Sequence, residues 1–188
     1  MLARFALLAA VALCLDARAA APDDARVAPY ADTPSPVVAA VLRMAGVEPA
    51  DNLIDLGSGD GRLVIAAVRD FGARAALGVD INEAFVEHAR GKAAEAGLSE
   101  RARFEVRDLF TTDVSRASVV TIYLFPAAMP RLREKLRREL APGTRIVVHD
   151  FPFPDWPADR IVSLPAPEKA DSVGRSDAVL FLYTVPPR

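Results

Sequence analysis

Between residues 52 and 150 the chain alternates short β-branched or aliphatic runs with longer stretches whose apolar positions recur every three or four residues. Asn52–Leu56, Ala75–Asp80, Ala102–Arg107, Ser118–Leu124 and Thr144–Asp150 read as strands, and Arg62–Phe71, Asn82–Ala96 and Ala127–Leu140 as helices. A parallel strand pair needs a crossover long enough to hold a helix, so this alternation predicts a parallel α/β sheet. Ahead of it, Ser35 can cap a helix whose first turn tolerates Pro36 and whose apolar face is Val37, Val38, Val41, Leu42 and Ala45, with Gly46 as its stop. Beyond it, Arg160–Leu164 and Ala178–Val185 are strand runs joined by a polar connection without helical spacing, which makes them antiparallel neighbours at the sheet end. The expected architecture is one doubly wound domain with a terminal hairpin.

Two helices have faces that can be assigned. Asn82 is the expected cap of a helix that turns Phe85, Ala89, Ala93 and Ala96 inward and ends at Gly97. In the other, Met129, Leu132, Leu136 and Leu140 form a buried stripe, and Arg131, Arg133, Lys135, Arg137 and Arg138 are expected as solvated charge around it.

The amino terminus follows a different pattern. Arg4 precedes an unbroken apolar run from Phe5 to Leu15, and Ala17-Arg18-Ala19 follows as a peptidase-like recognition sequence. The run is shorter than the roughly 20 apolar residues that span a bilayer, so residues 1–20 read as a secretory signal or a membrane-associated leader. Residues 21–35, rich in Ala, Asp and Pro, read as an arm, and residues 36–188 as the folded domain. The single cysteine, Cys14, lies in the leader, so a processed chain has neither a disulfide nor a thiolate nucleophile.

Composition narrows the class further. The 188 residues are 52% hydrophobic and 26% charged, enough to build a core without disulfides. With 23 Lys+Arg against 25 Asp+Glu, there is no bulk positive field for nucleic acid.

The densest chemistry is Asp55-Leu56-Gly57-Ser58-Gly59-Asp60-Gly61-Arg62, placed between the first strand and the following helix. Glycines at 57, 59 and 61 let a strand turn sharply beneath a ligand. Their spacing is Gly-x-Gly-x-Gly, which differs from the dinucleotide pattern Gly-x-Gly-x-x-Gly, so NAD need not be the ligand. Asp80 closes the second strand 23 residues after Gly57, where a carboxylate can meet a ribose edge. Asp108 follows the third strand and can accept a bond from a ligand amine. Together these features favour a nucleoside-bearing cofactor.

With these residues the chain resembles the class I S-adenosylmethionine-dependent methyltransferases. The resemblance implies a Rossmann-like fold with a mostly parallel seven-stranded sheet and a C-terminal antiparallel hairpin. It also implies S-adenosyl-L-methionine as the cofactor, with Asp55 near its methionine end, Gly57, Ser58 and Gly59 in the turn against it, Asp80 at the ribose hydroxyls and Asp108 at the adenine amine. Tyr30-Ala31-Asp32-Thr33-Pro34, Asp108-Leu109-Phe110, Val119–Leu124 and His149-Asp150-Phe151 are similar to a small protein-lysine methyltransferase-like group that includes enzymes acting on the c subunit of mitochondrial ATP synthase. In that group the segment before the first strand folds over the cofactor region, which implies nearby roles for Tyr30, Thr33 and Pro34.

An activated methyl group needs an aligned nucleophile and exclusion of water more than it needs a covalent catalyst. Tyr123, before Leu124-Phe125-Pro126 at a strand end, is the candidate catalytic residue, because its hydroxyl can orient an amine. His149 and Asp150 are adjacent on a strand, where successive side chains alternate faces, so the pair is not expected to converge. His88 reads as a local polar residue, and no metal spacing is recognised. Neither a Gly-x-Ser-x-Gly elbow nor a phosphate-loop motif is present.

The expected activity is methyl transfer to a protein lysine amine by a monomer, without nucleic acid as partner. A small membrane protein is a fitting substrate if the leader holds the domain at a membrane. Methylation of RNA or a small molecule, or cofactor binding without turnover, are the alternatives. The leader points to export or a membrane, whereas cofactor supply points to the cytoplasm.

Overall fold

The computed structural model describes residues 33–170 and 174–187. Its elements run α1 (Ser35–Ala45), β1 (Asn52–Leu56), α2 (Arg62–Arg69), β2 (Ala75–Asp80), α3 (Glu83–Glu95), β3 (Ala102–Val106), β4 (Val119–Ile122), α4 (Met129–Glu139), β5 (Arg145–His149), β6 (Arg160–Pro165) and β7 (Asp177–Thr184). Single 3-10 turns occupy Pro126–Ala128 and Pro167–Lys169. The sheet order is β3-β2-β1-β4-β5-β7-β6. The first five strands are parallel; β7 pairs antiparallel with both β5 and β6, as the short polar connection requires.

This order places the site. β1 and β4 are neighbours in the sheet, yet the chain continues from β1 to β2 on one side and from β4 to β5 on the other, and the crevice between them opens at their carboxyl ends. Antiparallel pairing sets His149 opposite Leu180, so the start of β7 and the β6–β7 connection arrive at that same end.

One core packs α1, α2 and α3 onto one face of the sheet; the other packs α4 with Phe153, Trp156 and Tyr183 onto the opposite face. α1 buries the five expected residues, but Pro34, not Ser35, is its N-cap, and no side chain caps it. Gly46 ends α1 in the left-handed conformation at φ 59°. Asn82 caps α3 through bonds from the Ala84 and Phe85 amides.

Two further expectations are corrected. The buried face of α3 is Val86, Ala89 and Ala93; Phe85 is half-buried and Ala96 exposed, because the stripe through Val86 packs small side chains close to the sheet. On α4 the leucine stripe is buried as expected, yet Lys135 is buried with it and pairs with Glu139. Arg131 and Arg137 lie over the rings of Phe110 and Trp156, so part of this basic face covers aromatic surface.

Candidate active site

The glycine turn rises from the end of β1. Gly57, Gly59 and Gly61 have φ of 86°, 50° and 78°, a region that side chains with a Cβ enter only with strain. The turn is closed by its own hydrogen bonds: the Gly57 and Ser58 amides donate to Val79 O, Gly61 N to Ser58 O, and Gly59 N to Asp80 Oδ2 at 2.9 Å. Asp80 Oδ1 accepts from Asn82 N at 2.9 Å. Each Asp80 oxygen thus keeps acceptor capacity beyond the bond that orients it.

The charge around the turn decides what it can hold. Asp55 is buried and accepts from the Thr121 hydroxyl at 2.7 Å. Burial raises its carboxyl to about 7, the Thr121 bond opposes that rise, and the negative charges of Asp80 and Asp60 add to it. Burial also acts upward on Asp60, but bonds from Arg62 and Lys92 outweigh it and bring that carboxyl down to about 2. Asp55 and Asp80 offer acceptor oxygens beside a turn whose amides are largely spent on the turn itself, and the charge of Asp60 is taken up by Arg62 and Lys92. A phosphate would find few free amide donors here, whereas hydroxyls, amines and a cationic centre would meet acceptors. The residues fit S-adenosylmethionine.

The expected cofactor residues divide in placement. Asp55, Gly57, Gly59 and Asp80 converge at the β1 and β2 ends. Asp108 is exposed past β3; its Oδ1 accepts from Phe110 N at 2.7 Å, and its carbonyl oxygen accepts from the Thr111 and Thr112 hydroxyls. The Ser58 side chain turns away from the cleft: Oγ is buried without a hydrogen-bond partner, above Gly78, where an added Cβ would lie 2.6 Å from it. Any contact of Ser58 with a ligand is therefore made through its backbone. The Thr33 carbonyl accepts from Arg62 Nη1 at 2.9 Å, tying the preceding segment to the turn, and the Pro34 carbonyl caps α1. Tyr30 lies outside the described residues.

A second cluster sits at the ends of β4 and β5. Tyr123, just past β4, directs its hydroxyl to Asp150 Oδ2 at 3.3 Å and stacks on the His149 ring with centroids 3.9 Å apart. Asp150 leaves β5 with a φ of 65°, and this left-handed turn breaks the alternation that would have sent its side chain away from His149. The pair does converge, and it converges on Lys169. The Lys169 ammonium donates to Asp150 Oδ2, lies 3.2 Å from His149 Nε2 and donates to the Asp177 carbonyl at 3.0 Å. Val179 N completes the Asp150 shell through Oδ1 at 3.1 Å.

The cluster's protonation follows from burial. Burial lowers His149 to about 4, with Lys169 and Arg175 adding to the effect and Asp150 opposing it, so the imidazole is neutral at pH 7. Burial, the charge of Asp150 and the hydrogen bond to it raise the Tyr123 phenol well above its ordinary value, so Tyr123 stays protonated. Burial acts upward on Asp150, but the Lys169 bond and its other partners outweigh it and hold the carboxyl below its usual range. Lys169 and Gly78 escaped the sequence reading: a lone lysine in a polar connection and a glycine inside a strand carry no motif.

The sheet order and the carboxylate-lined glycine turn define a class I S-adenosylmethionine-dependent methyltransferase. Residues 55–160 match the family model of the ANTKMT methyltransferase domain, and the chain belongs to that family. It is 34% identical to a protein-lysine N-methyltransferase of Saccharolobus islandicus, over 84% of this chain and 93% of that one. It is 37% identical to a lysine N-methyltransferase of Xenopus laevis named for the c subunit of ATP synthase, over 81% of this chain but 65% of that longer one. Among solved structures, an RNA methyltransferase from Salinibacter ruber in complex with S-adenosyl-L-homocysteine is 40% identical, with a TM-score of 0.75 over 84% of this chain and 95% of that one.

Proposed function

We propose that the chain methylates a lysine side-chain amine of a protein. The observation that carries this reading is the Tyr123–Asp150 hydrogen bond at the strand ends. Because the phenol O–H donates to Asp150, the outward lone pairs of its oxygen can accept from an amine N–H. That contact would leave the nitrogen lone pair free to point at the methyl group. Bound S-adenosylmethionine supplies an activated methyl on a sulfonium. The substrate nitrogen forms the new N–C bond while the electron pair of the broken C–S bond returns to sulfur, and the proton of the product ammonium leaves to water. Tyr123, held as a phenol, orients the amine and does not act as its base.

In this reading Asp80 accepts from the ribose hydroxyls, Asp108 from the adenine amine, and Asp55 sits by the methionine end. Thr33 and Pro34 border the cofactor region. Relatives named for lysine methylation, over most of the length of one of them, support the substrate class. Access to S-adenosylmethionine favours the cytoplasm, and a retained leader would keep the domain at the membrane beside a small membrane-protein substrate.

The Salinibacter relative favours RNA as a second reading. The two are separated by supplying methyl-labelled S-adenosylmethionine with membrane protein extract, soluble protein and RNA. Label recovered as methyl-lysine after protein hydrolysis is the expected result; label confined to RNA would overturn the lysine reading.

A further inference from the structure

Among the described residues, Lys169 is the most deeply buried charge, and the methyl-transfer scheme leaves its role open. Its side chain is 1% exposed, on a single 3-10 turn in the β6–β7 connection, so it cannot itself touch a substrate. Its strongest link to the reaction runs through Asp150, whose Oδ2 it shares with the Tyr123 hydroxyl, and its ammonium also lies 5.7 Å from the centroid of the Tyr123 ring. We propose that Lys169 is a positioning residue that cancels the charge of Asp150, so that Tyr123 presents a dipole to the substrate amine and the neutral, nucleophilic amine is favoured. The proposal rests on the lysine-amine reading above.

The geometry makes this a matter of distance. An amine hydrogen-bonded to the Tyr123 oxygen lies within roughly 6 Å of the Asp150 carboxylate, given one hydrogen-bond length beyond the observed 3.3 Å. At that separation an unpaired carboxylate would stabilise the ammonium form and raise the amine's pKa. The other charged or titratable groups facing Asp150 supply less positive charge there than Lys169. His149 is neutral, Tyr123 is a phenol, and the charge of Arg175, which also reaches Asp150, is screened at an exposed position and offset by Asp177 at 3.1 Å. Lys169 supplies it at the carboxylate itself, and its bonds to His149 and the Asp177 carbonyl hold it there. The His149 ring then fixes Tyr123 by stacking. The same ion pair would also serve as a staple between β5 and the β6–β7 connection; only the charge role predicts a change in the pH profile.

The test compares wild type with Lys169→Met, Lys169→Arg and the charge-free double variant Asp150→Asn/Lys169→Met. Poly-L-lysine is the methyl acceptor, and kcat and KM are followed across pH. Lys169→Met is expected to lower KM at neutral pH, because the site now attracts ammonium. It is also expected to move the rising limb of kcat to higher pH by about one unit. Lys169→Arg should keep the wild-type limb, and the double variant should restore it. Because removing both partners of a buried pair is tolerated better than removing one, the double variant keeps the test open if Lys169→Met does not fold. An unshifted limb in a folded Lys169→Met, or a shifted limb in the double variant, would overturn the proposal while leaving the lysine reading intact. Wild-type protein that labels RNA and never poly-L-lysine would remove the amine substrate, and the proposal with it.

Discussion

In the proposed reaction Tyr123 and Asp80 carry different parts, and each can be tested singly. Tyr123→Phe keeps the ring stack on His149 but removes the oxygen proposed to face the amine. It should lower kcat by about 10- to 100-fold, the loss of one well-placed polar contact, with little change in S-adenosylmethionine affinity. Steady-state kinetics beside calorimetric cofactor titration would expose a Tyr123 that only packs, since kcat would then barely move. Asp80 both holds Gly59 N and offers acceptors at the end of β2. Asp80→Ala should weaken cofactor binding by about 10- to 100-fold, and Asp108→Ala, at an exposed position, by less than about 10-fold. Equal affinities in both variants and wild type would refute these contact assignments. Both aspartates were legible in the sequence because each stands at the end of a strand run, Asp80 closing the second, 23 residues after Gly57, and Asp108 following the third. Lys169 was not, because its role arises from partners 19 and 20 residues away and from a left-handed turn at Asp150.

At the level of elements, β2 is shaped to receive the glycine turn. Gly78 leaves room for the Ser58 side chain, and a Cβ there would also lie 2.7 Å from Phe104 Cδ1. Gly78→Ala should therefore destabilise the fold by about 1–3 kcal/mol through overpacking, read as a lower urea midpoint at unchanged slope. An unchanged midpoint would mean that the loop shifts freely. The strands and helices themselves were readable from periodicity, and their ends were less so. β4 stops at Ile122, placing Tyr123 outside the ladder, and β5 stops at His149. Strand ends are set by where partner strands run out, which no local pattern records. The rotation of the α3 face from Phe85 to Val86 has a similar cause: which of two adjacent apolar residues turns inward depends on the surface it meets.

For the whole molecule, stability should depend on pH through Asp55. Its carboxyl ionises near 7 when folded and near 3.8 when unfolded, so between those values the folded state binds more protons. The stabilisation is complete below about 3.8 and is lost as pH rises through 7. Asp55→Asn should flatten that part of the profile, and denaturant titrations from about pH 4 to 8 that retain the full slope would assign it to other groups. Among the described residues no helix is long and apolar enough to cross a membrane, so the membrane question rests on the leader pattern. Mass measurement of the native amino terminus with cell fractionation decides it; an intact, membrane-bound amino terminus is expected if substrates lie in the membrane. The alternation of strand and helix, the glycine turn and the strand-end acids are properties of short stretches, because turn conformation and hydrophobic period act between near neighbours. By itself the sequence therefore determined the fold class and the glycine turn at the strand ends. Only the tertiary structure decided the rest. It turned Ser58 inward and buried Lys135, and it closed Tyr123, His149, Asp150 and Lys169 into one cluster, since antiparallel pairing of β7 with β5 carries the β6–β7 connection to the carboxyl end of the parallel strands.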